Sequence, residues 1–133
     1  MKLTNSRLTA IALGLSAAIT LRAADLSETD KQFLTRYEHV RTALAADNLA
    51  EAKKAAADLG EEGAAIAKAD SIIIARNEFA ILSERAIKLA SGQSGYYVVN
   101  CPMLKKDWVQ PTGEISNPYA GRSMPNCGMI KKK

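Results

Sequence analysis

The composition of the chain breaks at Gln93, and that break limits what it can fold into. Residues 93–133 hold all four prolines, both cysteines, the single tryptophan, three of the four tyrosines and every methionine except the initiator. Residues 25–92 have no proline, are rich in alanine, and place apolar residues at helical spacing. Alanine is the best helix former, and proline stops a helix interior. The expected fold is mainly α: three to four helices in a small antiparallel bundle over 25–92, with a loop and short-strand segment over 93–133 packed on it. A length of 133 residues suits one domain, expected over 24–133, and not two independent cores. Aromatics are only 5% of the chain, which disfavours a β-sandwich or barrel.

Residues 1–23 read as an export signal. Lys2 and Arg7 precede an uncharged run from Leu8 to Leu21, and small residues follow at Ala23 and Ala24. The run is shorter than the roughly 20 residues a membrane span needs. The formal charge of +4 includes Lys2, Arg7 and Arg22, so the processed chain would carry +1. That balance is a poor match for a phosphate backbone, and no nucleic-acid partner is expected. The expected location is the periplasm or another exported site, with no membrane span left after cleavage. An oxidising compartment permits a disulfide; a soft metal would hold the same cysteines as thiolates.

Within the helical half, Ser27 and Asp30 form an acidic capping box. Phe33, Tyr37, Val40 and Leu44 make one helical face. Asp47 is read as the next cap, Leu49, Ala52, Ala56 and Leu59 as the next face, and Gly60 as its stop. Asp70 or Ser71 caps a last helix whose face is Ile72, Ala75, Phe79, Leu82, Ala86 and Leu89, closed by Ser91-Gly92. His39, the one histidine, falls beside the core face and is read as solvated. Lys53-Lys54, Glu61-Glu62 and the tail Lys131–Lys133 are read as solvated charge. Tyr96–Val99 reads as a strand, and Trp108–Gln110 as a second strand or a turn. Trp108, Tyr96, Tyr97 and Tyr119 are expected to pack the C-terminal segment onto the helices.

No phosphate-binding glycine loop, paired-carboxylate site or nucleophilic triad is present, and an enzyme is not expected. A thiol-redox enzyme is disfavoured by the lack of Cys-x-x-Cys and of an alternating βαβ pattern. The chemistry-bearing residues are sulfurs. Cys101-Pro102-Met103 and Met124-Pro125-Asn126-Cys127 place two thiols and two thioethers in two proline-stiffened segments, with Met129 as a further sulfur. In an extended segment Cys101 and Met103 would share a side; in a turn Met124 and Cys127 would meet. Such a donor set is soft and suits Cu(I). Lys105, Lys106 or Arg122 would offset the charge of two thiolates on Cu(I). The alternative is a Cys101–Cys127 disulfide that staples the segment.

The run YYVVNCPM, then Trp108, then EISNPYAGRSMPNCG resembles the C-terminal motif of DUF3347, a bacterial domain of unknown function. The positions that carry the resemblance include Tyr96, Cys101, Pro102, Met103, Trp108, Ile115, Asn117, Pro118, Tyr119, Gly121, Met124, Cys127 and Gly128. YEHVRTALAADNLAEAKKAAADL and RNEFAILSERAIKL look like its helical half. Two features depart from that pattern: Leu104–Asp107 is a shorter spacer, and Ala120 stands where an aromatic is common. The family occurs in exported proteins and at the ends of heavy-metal efflux adaptors. The resemblance therefore implies soft-metal handling in the cell envelope, with Cys101, Met103, Met124 and Cys127 as the metal ligands and Cu(I) as the ion. It also implies an efflux adaptor or another envelope protein as partner. An envelope interaction module stapled by the disulfide, without metal, stays open beside it.

Overall fold

A computed structural model describes residues 24–111 and 113–132. The expected signal segment, residues 1–23, lies outside the described residues.

Among the described residues there are four helices and a three-stranded antiparallel sheet, so the mainly helical expectation holds. Helix α1 runs Glu28–Ala45 and begins as its sequence dictates: Ser27 accepts the Asp30 N–H at 3.1 Å and donates its hydroxyl to the Asp30 carboxylate at 2.6 Å. Its predicted face is fully used, Phe33, Tyr37, Val40 and Leu44 all being buried. Helix α2 (Leu49–Ala57) is capped by Asn48, which accepts the Glu51 N–H, and not by Asp47. Asp47 instead takes a left-handed φ of 58°. Its carboxylate receives Arg76 at 2.6 Å and the Arg122 N–H at 2.9 Å. A short 3-10 turn at Gly60–Gly63 leads into α3 (Ala64–Ala67), where Ile66 is buried. Helix α4 (Ile72–Ala90) is capped by Ser71, with Ala75, Phe79, Leu82 and Ala86 buried as expected.

Strand β1 (Tyr97–Cys101) pairs with β2 (Lys106–Gln110) in the register Val98↔Val109 and Val99↔Trp108. The third strand, β3 (Met129–Lys132), pairs with the other edge of β1, Asn100 lying opposite Met129. The expectation of a plain solvated tail at Lys131–Lys133 is thereby corrected up to Lys132. Met129 and Ile130 lend the tail enough strand character to complete the sheet, while Lys131 stays exposed and pairs with Asp107 at 2.9 Å.

The sheet is anchored by hydroxyls. Tyr37 accepts the Val109 N–H at 3.2 Å and shares a hydrogen bond with Ser83 at 2.9 Å. Tyr119 donates to Ser83 at 3.0 Å and approaches the Asp107 carbonyl at 3.2 Å. Burial pushes both phenols up, Tyr119 to about 12, so they stay protonated donors across the range in which proteins fold. Their rings join an aromatic chain of Phe33, Tyr37, Phe79, Tyr119 and Trp108, with centroids 4.9 to 6.3 Å apart. Trp108 and Tyr119 thus pack the C-terminal segment as expected. Tyr96 and Tyr97 are only half-buried at its margin.

Two arginines bind the loop after β2 to the helices. Arg41 grips Glu38 with two nitrogens at 2.6 Å and donates to the Ser116 carbonyl at 2.7 Å. Arg76 donates to the Pro118 carbonyl at 2.7 Å and the Leu44 carbonyl at 2.8 Å. Gly121 sits where these meet. Its φ is 56°, and a Cβ there would run into the Asp47 carboxylate and the Arg76 guanidinium. Gly121→Ala should therefore destabilise the fold by about 1–3 kcal/mol, seen as a lower urea midpoint at unchanged slope. An unchanged midpoint would show that this junction yields freely.

Candidate metal centre

The two cysteines meet. Cys101 ends β1 with no exposed surface, and its Sγ lies 2.7 Å from that of half-buried Cys127; both are free thiols. Three local structures produce the approach. The register Cys101↔Lys106 leaves residues 102–105 as a tight turn, with Lys105 at φ 52°. Pro102 suits that reversal because its φ is already fixed. The Cys127 N–H donates to the Met124 carbonyl at 3.2 Å, so Met124 and Cys127 share one turn as their spacing predicts. Gly128 then passes so close to the sheet that a Cβ would lie 2.8 Å from Ile115 and Val99.

Asn117 organises the second segment. It is fully buried, and its Oδ1 accepts the Tyr119 and Ala120 N–H groups at 2.9 and 3.1 Å. Its Nδ2 donates to the Cys127 carbonyl at 2.8 Å, and its own N–H donates to the Pro125 carbonyl at 2.9 Å. An asparagine before Pro118 thus turns the chain and also holds Cys127 in place.

The electrostatics divide the sulfurs. Burial acts to raise the Cys101 thiol. It is outweighed by hydrogen bonds from the Cys127 thiol, the Leu104 and Met103 N–H groups and the Asn117 amide, and Cys101 lies below the ordinary thiol range. Cys127 is pushed up by its hydrogen bond to Cys101, by burial and by the Cys101 charge, against the Met103 N–H. The two thiols share a hydrogen bond and titrate together, with Cys101 shifted down and Cys127 shifted up. A soft cation that binds both sulfurs displaces the protons they carry.

The thioethers are placed differently. Met103 is not in an extended segment, because β1 stops at Cys101. Its N–H turns inward to the sulfurs while its side chain is 72% exposed. Met124 is half-buried, and Met129 is exposed at the start of β3. Among the described residues no group of three or more His, Cys, Asp or Glu comes together to hold a metal. His39 is exposed on α1, as its position implied. Lys106 places its ammonium 5.8 Å over the Tyr119 ring, and Lys105 and Arg122 are exposed. Sequence reasoning missed Asn117 as the organiser and Arg41 and Arg76 as clamps. The Asn-Pro dipeptide was a usable signal for the first. The two arginines each follow a core residue, Val40 and Ala75, and carried no signal of their own.

Comparison with family models, with curated proteins and with solved structures finds no match to this chain.

Proposed function

We propose that the chain is an exported, non-enzymatic carrier or buffer of a soft metal ion, Cu(I), taken as cargo by Cys101 and Cys127. The thioethers of Met103 and Met124 would complete the set. One observation carries this reading: the sulfurs of Cys101 and Cys127, 26 residues apart in sequence, lie 2.7 Å apart and are not joined by a disulfide. Two thiols and two thioethers are the donors that prefer Cu(I) over harder ions. The resemblance to DUF3347 supports the same chemistry and suggests an efflux adaptor or another envelope protein as the exchange partner. The helices over 25–92 then serve as a small antiparallel bundle on which the sulfur segment is mounted.

The separation also defines a movement. Metal–thiolate bonds of about 2.3 Å in a tetrahedral site put two sulfurs about 3.8 Å apart. Loading therefore opens the pair by about 1 Å, and the half-exposed Cys127 is the partner free to give. Met103 and Met124 must turn toward the ion in the same step. Met103→Leu with Met124→Leu tests this, because leucine replaces methionine at low cost in stability. The double variant should bind Cu(I) at least about tenfold more weakly in competition with a chromophoric chelator, the scale of even an outer-shell loss at metal sites. Equal affinity would remove the thioethers from the site.

The same short separation favours a second reading, in which the cysteines close into a disulfide and staple an envelope interaction module. That bond would close a loop with 25 residues between its cysteines and stabilise the fold by about 3.5 kcal/mol. Intact mass of the exported protein, purified without chelator or reductant, separates the two. A mass lower by two hydrogens selects the staple, and a mass raised by one copper selects the carrier.

A further inference from the structure

The charge of the chain is divided along its length. Residues 24–92 carry nine lysines and arginines against twelve acids, whereas residues 93–133 carry six against two. Two of these lysines lie where apolar surface is also exposed. At the tip of the β1–β2 turn, Met103 is 72% and Leu104 37% exposed, followed directly by Lys105 and Lys106. Met129, 59% exposed, starts β3 opposite Asn100 and so lies at the same end of the sheet. Ile73 of α4, 68% exposed, shares a shallow hollow with Leu104 and Lys106. The acids here are largely engaged. Asp107 is held by Lys131 and Asn100, and Asp47 by Arg76 and the Arg122 N–H. Glu84 and Asp107 line a second hollow with Lys105 and Lys106.

We propose that this end of the molecule docks on an anionic phospholipid surface, with Met103 and Leu104 entering the headgroup layer and Lys105, Lys106 and Arg122 meeting lipid phosphates. Shape and charge together choose the occupant. The turn presents exposed Met103 and partly exposed Leu104 directly beside two lysines, and a lipid surface accepts such a tip without a complementary pocket. The flanking cations add attraction to anionic lipid of about fivefold in binding per residue. No described helix is long and apolar enough to cross a membrane. The docking goes beyond the metal reading and does not depend on it. It places the sulfur pair next to the membrane face, whether as thiolates or as a disulfide.

Co-sedimentation of the metal-free protein with vesicles tests the proposal. Vesicles of phosphatidylethanolamine and phosphatidylglycerol in a three-to-one mixture should bind it at low salt. Phosphatidylcholine vesicles should not, and high salt should release it. Lys105→Glu with Lys106→Glu should weaken partitioning at least about 25-fold. Leu104→Glu should weaken it as well, while Ile81→Glu, on exposed α4 surface, should leave it unchanged. Lys105→Gln with Lys106→Gln serves if charge reversal perturbs the circular dichroism. Equal binding to both vesicle types, or full binding by the double lysine variants, would overturn the docking surface. So would binding to a polyglutamate peptide without binding to anionic vesicles, which would assign this end to an acidic protein.

Discussion

Replacing Cys101 by serine should abolish stoichiometric Cu(I) binding, an effect well beyond the about hundredfold that outer-shell changes reach. Cys101 is the sulfur whose thiol the fold shifts down: against its burial act the Cys127 thiol, the Leu104 and Met103 N–H groups and the Asn117 amide. A serine hydroxyl at the same place is neither ionised nor soft. Cys127→Ser should retain weak binding, because the cradle around Cys101 survives, and the two variants are therefore unequal under the carrier reading. The pH dependence follows from the coupled titrations. Cys101 is shifted down and Cys127 up, so between their titrations a bound metal releases one proton. Affinity should rise about tenfold per pH unit across that window and level off above the raised Cys127 titration. In Cys127→Ser the slope should vanish once Cys101 is ionised. Chelator competition at a series of pH values reads both effects. Persistent binding in Cys101→Ser, or an unaltered slope in Cys127→Ser, would sink the assignment. Under the disulfide reading the two variants should instead lose the same stability, about 3.5 kcal/mol each, with no metal dependence.

The helical half was legible because its signals are local. Ser27-x-x-Asp30 and the 4-3-4 spacing of Phe33, Tyr37, Val40 and Leu44 state a cap and a buried face within a few turns of sequence, and both are realised. Asp47 shows where local reading stops. An aspartate before a helix is an ordinary cap by composition, but here Arg76 and the Arg122 N–H, far along the chain, claim its carboxylate, and Asn48 takes the cap. The sulfur segment divides in the same way. The turn between Met124 and Cys127 is a short-range matter and was readable. The placement of Met103 was not, because the reversal at 102–105 is set by the pairing of β1 with β2. Strand β3 depends wholly on the free edge of β1, and four residues ending in lysines give little periodicity to see. The meeting of Cys101 with Cys127 was one of several arrangements the spacing permits, and the long-range grip of Asn117 makes it specific.

That grip has a measurable consequence. Asn117→Ala should destabilise the reduced protein by about 3–5 kcal/mol, a large share of the 5–15 kcal/mol typical of a small domain. The side chain is fully buried, and its removal strands the Tyr119 and Ala120 N–H groups and the Cys127 carbonyl, whose partner it is at 2.8 Å. Each buried group left unpaired costs about 1–3 kcal/mol, and water reaching the space offsets part of the sum. The loss should extend to the sulfurs. Asn117 supports the Cys101 thiolate as well, so the thiol should titrate at higher pH in the variant, read by ultraviolet thiolate absorbance. Asn117→Asp separates the two roles: it keeps the acceptor for Tyr119 and Ala120, loses the donor to Cys127 and Cys101, and adds a like charge beside the thiolate. It should therefore raise the Cys101 titration further than alanine does. Urea unfolding in reductant measures the stability, and a loss under about 1 kcal/mol in Asn117→Ala would show that Asn117 is not the residue holding Cys127 to Cys101. An Asn117→Asp variant with an unshifted Cys101 would separate the asparagine from the electrostatics of the sulfur pair and leave that task to the Met103 and Leu104 N–H groups.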